Sequence, residues 1–308
     1  MSVERKYEWN ALEQLYTADD LICYLGESAF YHTTYNHYTK LNIVKEIIVN
    51  NELWVSQIKG CNDLKEKDYF KKSEVKNIFL LCFSTGVNEN LPLWYMYSGI
   101  NGKGGAICFT KSKMKKLLEN SSFSLWLKET DGNKLIEKIV DLTYKDFDIS
   151  FKDVLYHAPT CNGCDFKYNT MVCHHKFDGE GFKEKEYERL CEEHKGFLKS
   201  LIWFYEKETR ILIKLKGEVC KKIEKDKAYV IVMKYNGELS KIATIRLAPE
   251  FDDTTEIKEY EDLKKHISES AIKFSKYKGQ IAMKIQPMER ECKNCKEKET
   301  CNKCSMKK

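Results

Sequence analysis

The stretch HYTKLNIVKEIIVNNELWVS, His37 to Ser56, decides the fold. It reads as a short strand, a helix over about 41–49 and a strand at 53–57, with the Asn50–Asn51 pair placed to stop the helix. Toward the N-terminus, residues 8–25 carry Leu12, Leu15, Ile22 and Cys23 at helical spacing. Toward the C-terminus come a charged, helical 64–75 and the apolar strand NIFLLCFS at 77–84. A loop then leads to LWYMYS, a glycine-rich turn GINGKGG and the strand AICF. Residues 111–140 read as helical, followed by the strand IVDLTY.

A polar, aperiodic 157–183 reads as a loop-rich insertion, and 184–204 as one long helix. The strand ETRILIKL, strands at 228–234 and 241–247, and a helix at 258–274 complete a core. The expected class is α+β, with a mixed, mostly antiparallel sheet and flanking helices. Residues 1–287 form the core domain with its insertion, and 288–308 a separate cysteine-bearing tail.

With 42% hydrophobic and 32% charged residues in 308, the chain has a globular composition, enough for one large core or a main and a smaller domain. A net charge of +5, with Lys and Glu intermixed, permits an acidic partner such as a nucleic acid without specifying one. The first residues, MSVERKYEWN, hold no apolar signal core, and no apolar run is long enough to span a bilayer. Of thirteen cysteines, Cys23, Cys61, Cys82, Cys108 and Cys220 stand alone, and the other eight crowd into two stretches. Single thiols beside clustered ligands suit a reducing cytoplasm better than a disulfide scaffold.

The tail places Cys292, Cys295, Cys301 and Cys304 as C-x2-C-x5-C-x2-C. Two such knuckles wrap one tetrahedral ion in four thiolates, and the intervening lysines offset the charge. Zinc fits, and an iron–sulfur cluster uses the same ligand type. In the insertion, CNGCDFKYNTMVCHH supplies Cys161, Cys164, Cys173 and His174, and the next helix carries Cys191. One knuckle with surplus partners points to a second zinc site, structural like the first.

Four stretches together resemble a bacterial family known as domain-of-unknown-function family 2971. They are HYT–helix–LWVS running on to CNDLKE, CFS with LWYMY and GGAICF, WFYEKETRIL, and IRLAPEFD, covering about residues 30–255. Cys61 stands where that family has Phe, Leu64 where it has Pro and Ala248 where it has Gly, and its His before the glycine-rich turn is absent.

A second resemblance, to ADP-ribosyltransferase-like domains, carries chemistry. Such domains open with His-x-Thr on a strand, a helix and a strand ending in Ser, and place an E-x-E pair at a late strand. Here these are His37 and the pair Glu206 and Glu208. The resemblance implies NAD as substrate, with His37, Ser84, Trp94, Tyr97 and Arg210 binding it and His37, Glu206 and Glu208 catalytic, and either a nucleic-acid or protein acceptor or hydrolysis of NAD itself. Residues two apart in a strand share a face, so both glutamates would enter one cleft. A fixed carboxylate would stabilise the cationic sugar that forms as nicotinamide leaves.

Two other classes stand beside this one. In a metal-dependent hydrolase or nuclease, His37, Asp63, Glu206 and Glu208 would hold Mg or Mn. In a recognition module, the zinc-bearing appendages would read nucleic acid or protein without catalysis.

Overall fold

The computed structural model of the chain describes residues 18–280, apart from 62, 64–65, 87, 98–103, 131–133, 161–162, 169–170, 177–183 and 252–256. It opens with helix α1 (Ala18–Ser28) and then the unit that the sequence announces: β1 (Thr34–Lys40), α2 (Leu41–Asn50) and β2 (Glu52–Gln57). The stop at the end of α2 is Asn51, which takes the left-handed conformation at φ 57°. Its N–H caps the Ile47 carbonyl, and its side-chain oxygen accepts from the Leu239 amide at 2.7 Å.

The remaining elements are β3 (Ile78–Thr85), α3 (Leu91–Tyr97), β4 (Gly104–Thr110), α4 (Lys111–Glu119), β5 (Ser121–Lys128), β6 (Leu135–Leu142) and β7 (Phe147–Asp153). Then come β8 (Leu155–Thr160), β9 (Gly163–Tyr168), β10 (Met171–Lys176), α5 (Glu184–Glu193), β11 (Leu198–Ser200) and β12 (Glu208–Leu215). The described chain closes with β13 (Ala228–Tyr235), α6 (Leu239–Ile242), β14 (Thr244–Leu247), α7 (Ile257–Lys264) and β15 (Ile272–Phe274).

The described strands form an eleven-stranded sheet and a four-stranded one. The large sheet runs β15-β14-β4-β1-β3-β2-β13-β5-β6, with β12 on the second edge of β3 and β7 beyond β12. Its pairings are antiparallel except β14 with β15, and in the small sheet, β10-β9-β8-β11, only β11 with β8 is parallel. The expected α+β class with a mixed, mostly antiparallel sheet therefore holds.

Alternation fixes which face does what. On β3, Phe79, Leu81 and Phe83 enter the main core, as do Ile211, Ile213 and Leu215 of β12, under the apolar faces of α2 and α4. The intervening residues, Leu80, Cys82 and Ser84 on β3 and Glu208, Arg210 and Leu212 on β12, lie on the opposite face. A slip of one residue would drive Glu208 and Arg210 into that core, so the register is held by every buried side chain at about 1.5–3 kcal/mol each. Helix α2 lies close on β4 at Gly105, where a Cβ would meet Val44 at 2.8 Å.

Several expectations fail. Of the segment 64–75, the described residues, from Glu66 on, form only short 3-10 turns, Glu66–Tyr69 and Val75–Asn77. The helix expected over 111–140 ends at Glu119, and SSFSLWLK is strand β5, whose alternating Phe123 and Leu125 enter the core. The described part of the loop-rich insertion is an antiparallel meander, β8 to β10. The helix expected over 184–204 ends at Glu193 and is followed by β11 and a 3-10 segment, Leu201–Glu206. The helix expected over 258–274 ends at Lys264, and Ile272–Phe274 joins the sheet edge. The part of the N-terminal helix before residue 18 lies outside the described residues.

Candidate active site

Strand β3 is where the large sheet forks. Along one edge it pairs with β12 from Ser84↔Glu208 to Ile78↔Lys214. Along the other it meets β1 only at Thr85 and Ser84, and β2 only at Leu80 and Phe79. Between these contacts β1 and β2 diverge, leaving Leu81, Cys82 and Phe83 without a strand partner on that edge among the described residues.

His37 fills the fork. Its Nδ1 lies 3.0 Å from the Cys82 carbonyl oxygen, which can only accept, so Nδ1 carries the proton. Burial lowers the His37 pKa, more than the bond to Cys82 raises it, and the ring is neutral with Nε2 left as an acceptor. A cavity of about 290 Å³ occupies the fork, lined by His37, Ser84, Tyr97, Glu206, Glu208 and Arg210 among others.

A buried charge cluster forms its floor. Arg210 clamps Glu66 with two bonds, Nη1 to Oε2 at 2.7 Å and Nη2 to Oε1 at 2.8 Å. The same guanidinium reaches Glu208 Oε2 at 2.7 Å and the Gly196 carbonyl at 2.8 Å. Lys199 approaches Glu206 at 2.5 Å, Glu66 at 3.3 Å and Glu208 at 3.4 Å, and stands 4.9 Å over the Trp203 ring. Three carboxyl groups thus face two cations, and one negative charge is in excess if all ionise.

The two acids of the pair are driven apart. Burial pushes the Glu208 carboxyl up, but Arg210 and Lys199 outweigh it and hold Glu208 well below the usual carboxylate range. Burial, then the charge on Glu208, raises Glu206 to about 7. Glu206 Oε2 takes the lysine, while its buried Oε1 has no hydrogen-bond partner among the described residues. The cleft therefore contains one locked carboxylate and one acid poised to exchange a proton.

The glutamates do not share a face in the way a strand would give. Glu206 ends a 3-10 segment, and Lys207 between them is left-handed at φ 46°, ψ 60°. That conformation costs a non-glycine residue about 1–2 kcal/mol. The Lys207 carbonyl accepts from both the amide and the hydroxyl of Thr85, at 2.8 and 3.0 Å, which holds the turn. The tight turn carries both flanking side chains into the cleft. The Glu208 amide is tied to the Tyr156 hydroxyl at 3.0 Å.

The structure thus brings together His37, Ser84, Tyr97, Glu206, Glu208 and Arg210. Trp94, read as a nicotinamide platform, is instead a core residue: fully buried, edge-on to Tyr38, with its indole N–H donated to Glu89 at 3.0 Å. Arg210 is 1% exposed and engaged with protein carboxylates, so its part is to hold Glu66 and Glu208 in place. Lys199 was not singled out from sequence, because it sat inside an expected helix. Glu66 was visible only as the last residue of CNDLKE.

Of the expected metal ligands, Cys292, Cys295, Cys301, Cys304 and Cys161 lie outside the described residues, as do the side chains of Cys173 and His174 on β10. Cys164 is buried and Cys191 half-buried in one apolar cluster with Leu190 and Tyr187. Both nitrogens of nearby His157 are taken by Tyr69 and Tyr187. Among the described residues no group of three or more His, Cys, Asp or Glu side chains is arranged to hold a metal ion. Nor is any described helix long and apolar enough to cross a membrane.

No family model matches the chain, and neither a curated protein nor a solved structure matches it.

Proposed function

We propose that the fork is the site of an NAD-consuming, ADP-ribosyltransferase-like enzyme. The observation that carries this reading is the convergence of His37, Tyr97, Glu206 and Glu208, far apart in sequence, on one cleft. At about 290 Å³ the cavity has room for nicotinamide and its ribose but not for a whole dinucleotide. In this reading the Tyr97 ring lies against the flat base, and His37 Nε2 accepts from a ribose hydroxyl. Glu208, ionised and fixed, faces the sugar. As the N-glycosidic bond breaks, nicotinamide leaves as a neutral base with the bonding electrons. The positive charge that develops on the sugar is then stabilised by Glu208. Glu206 takes the proton of the attacking acceptor, for which a pKa near 7 is suited.

The metal-hydrolase alternative is less well supported. Asp63 is not among the cleft residues, and the space between the glutamates is filled by the Lys199 ammonium and the Arg210 guanidinium. A divalent ion would have to displace them. The test is nicotinamide release from NAD by the purified protein, with and without EDTA and with and without an acceptor. Release that persists in EDTA supports the transferase. NAD that is neither bound nor consumed, or an activity that EDTA abolishes, would count against it.

A further inference from the structure

Lys207 and Glu208 also line a second cavity, of about 700 Å³. Tyr31, His32 and Thr33 line both that cavity and a third, of about 780 Å³, bordered by Lys111 and Lys115 of α4. Shared lining residues set the second cavity beside the fork and the third beside the second, out to the exposed Tyr31. Aromatic rings recur along this path: Phe204, Tyr205 and Tyr277 in the second cavity, and Phe30 and Tyr31 in the third. Tyr31 is 63% exposed, and Lys111 stands 4.8 Å over its ring.

The charges along the path are unequal in their reach. Its acids, Asp153, Glu89 and Glu208, are buried and already engaged, Glu208 by Arg210. Asp153 accepts from Ser28 at 2.6 Å and lies 2.8 Å from His32 Nε2. Glu89 accepts from Trp94 at 3.0 Å, from Ser275 at 2.5 Å and from the Lys276 amide at 2.8 Å. The lysines Lys111, Lys115 and Lys207 are exposed. A strand with an anionic backbone and flat bases matches this alternation of cations and rings, because stacking and phosphate contact need no fixed sequence. A neutral peptide would leave the lysines without a complement, and a duplex, whose bases are stacked inside, would leave the rings without one.

We propose that this path is a binding groove for single-stranded nucleic acid, which delivers an acceptor nucleotide to Glu206 and Glu208. The proposal rests on the transferase reading for the fate of the strand, but not for its binding.

The test is fluorescence anisotropy of labelled single strands of about twelve nucleotides, DNA and RNA, against a duplex of the same length, with NAD absent. Three phosphate contacts predict a slope of log affinity against log salt of about −2. The double reversal Lys111→Glu with Lys115→Glu should weaken binding on the order of ten-fold or more and flatten that slope. Tyr31→Ala should weaken binding on the order of ten-fold by loss of stacking. Both variants should melt with the unmutated protein, since the altered groups are exposed.

Three results would overturn the groove: no binding of single strands at low salt, equal binding of duplex, or binding indifferent to both variants. Because binding is read without NAD, a protein that binds strands but releases no nicotinamide would keep the groove and lose the transferase. Transfer from NAD to a polypeptide and never to an oligonucleotide would overturn the acceptor assignment.

Discussion

His37 Nδ1 hydrogen-bonds the carbonyl oxygen of Cys82 at 3.0 Å, across the one stretch of β3 that neither β1 nor β2 reaches. A ladder bond lost to the fork is replaced by a side-chain bond. The same contact fixes the ring's tautomer and turns its free nitrogen toward the cleft. The opening in the sheet and the orientation of a reactive group thus have one cause.

The ion cluster beneath the fork predicts large stability effects. Arg210→Met would leave Glu66 and Glu208 buried without their guanidinium, and should cost about 3–5 kcal/mol in urea unfolding. Glu66→Gln keeps an oxygen for Arg210 and should cost about 1–3 kcal/mol. A loss below about 1 kcal/mol for Arg210→Met would mean that the clamp is not formed in solution.

Trp94 and Tyr97 are separated by the same logic. Trp94→Ala opens a cavity in the core and should cost about 3–5 kcal/mol of stability with little change in NAD affinity. Tyr97→Ala should do the reverse: a stability change of about 1 kcal/mol, with NAD binding weakened on the order of ten-fold by loss of stacking. Equal effects of the two on NAD affinity would contradict the placement.

Much of this was legible in the sequence where local pattern and tertiary demand agree. The unit His37–Ser56 and the strands Ile78–Thr85 and Glu208–Leu215 are apolar and end in recognisable stops, and the structure puts them where periodicity puts them. Periodicity failed where the strands are polar. The segments holding β8 to β10 show no apolar alternation in the sequence, and SSFSLWLK was hidden by the lysine-rich helix before it. The reading of 184–204 as a single helix had the largest consequence. It concealed β11, and with it Lys199, whose role depends on three glutamates that are neighbours only in the folded chain. The convergence of His37 with Glu208 was reached through motif likeness, while the left-handed Lys207 that turns both glutamates inward had no sequence signal.

Glu206 predicts a pH dependence. Its carboxyl is raised from 4.5 to about 7, so the folded state holds that proton more tightly than the unfolded state does. The resulting stability is fully present below about 4.5 and is lost as pH rises toward 7. Relative to Glu206→Gln, the unmutated protein should therefore lose stability across that window. As a proton acceptor Glu206 must be ionised, so transfer should rise with pH through about 7, and Glu206→Gln should remove the rise. It should also lower transfer to an acceptor more than hydrolysis of NAD. A profile unchanged by the substitution would remove Glu206 from proton transfer.

The cysteine spacing predicts metal. Protein purified without added metal should carry about one to two zinc ions per chain, since thiolate tetrads bind zinc tightly at neutral pH. Elemental analysis finding neither zinc nor iron would remove that expectation, and a brown, iron-rich protein would assign the tail to an iron–sulfur cluster.

The central claim is that Glu208 acts on charge that exists only in the transition state. Glu208→Gln keeps an oxygen for Arg210 and should fold, and its affinity for NAD should stay within about three-fold of the unmutated protein. Nicotinamide release at saturating NAD should fall on the order of a hundred-fold or more, as it does when other preorganised electrostatic groups are removed. A folded Glu208→Gln protein that releases nicotinamide at the unmutated rate would contradict the account.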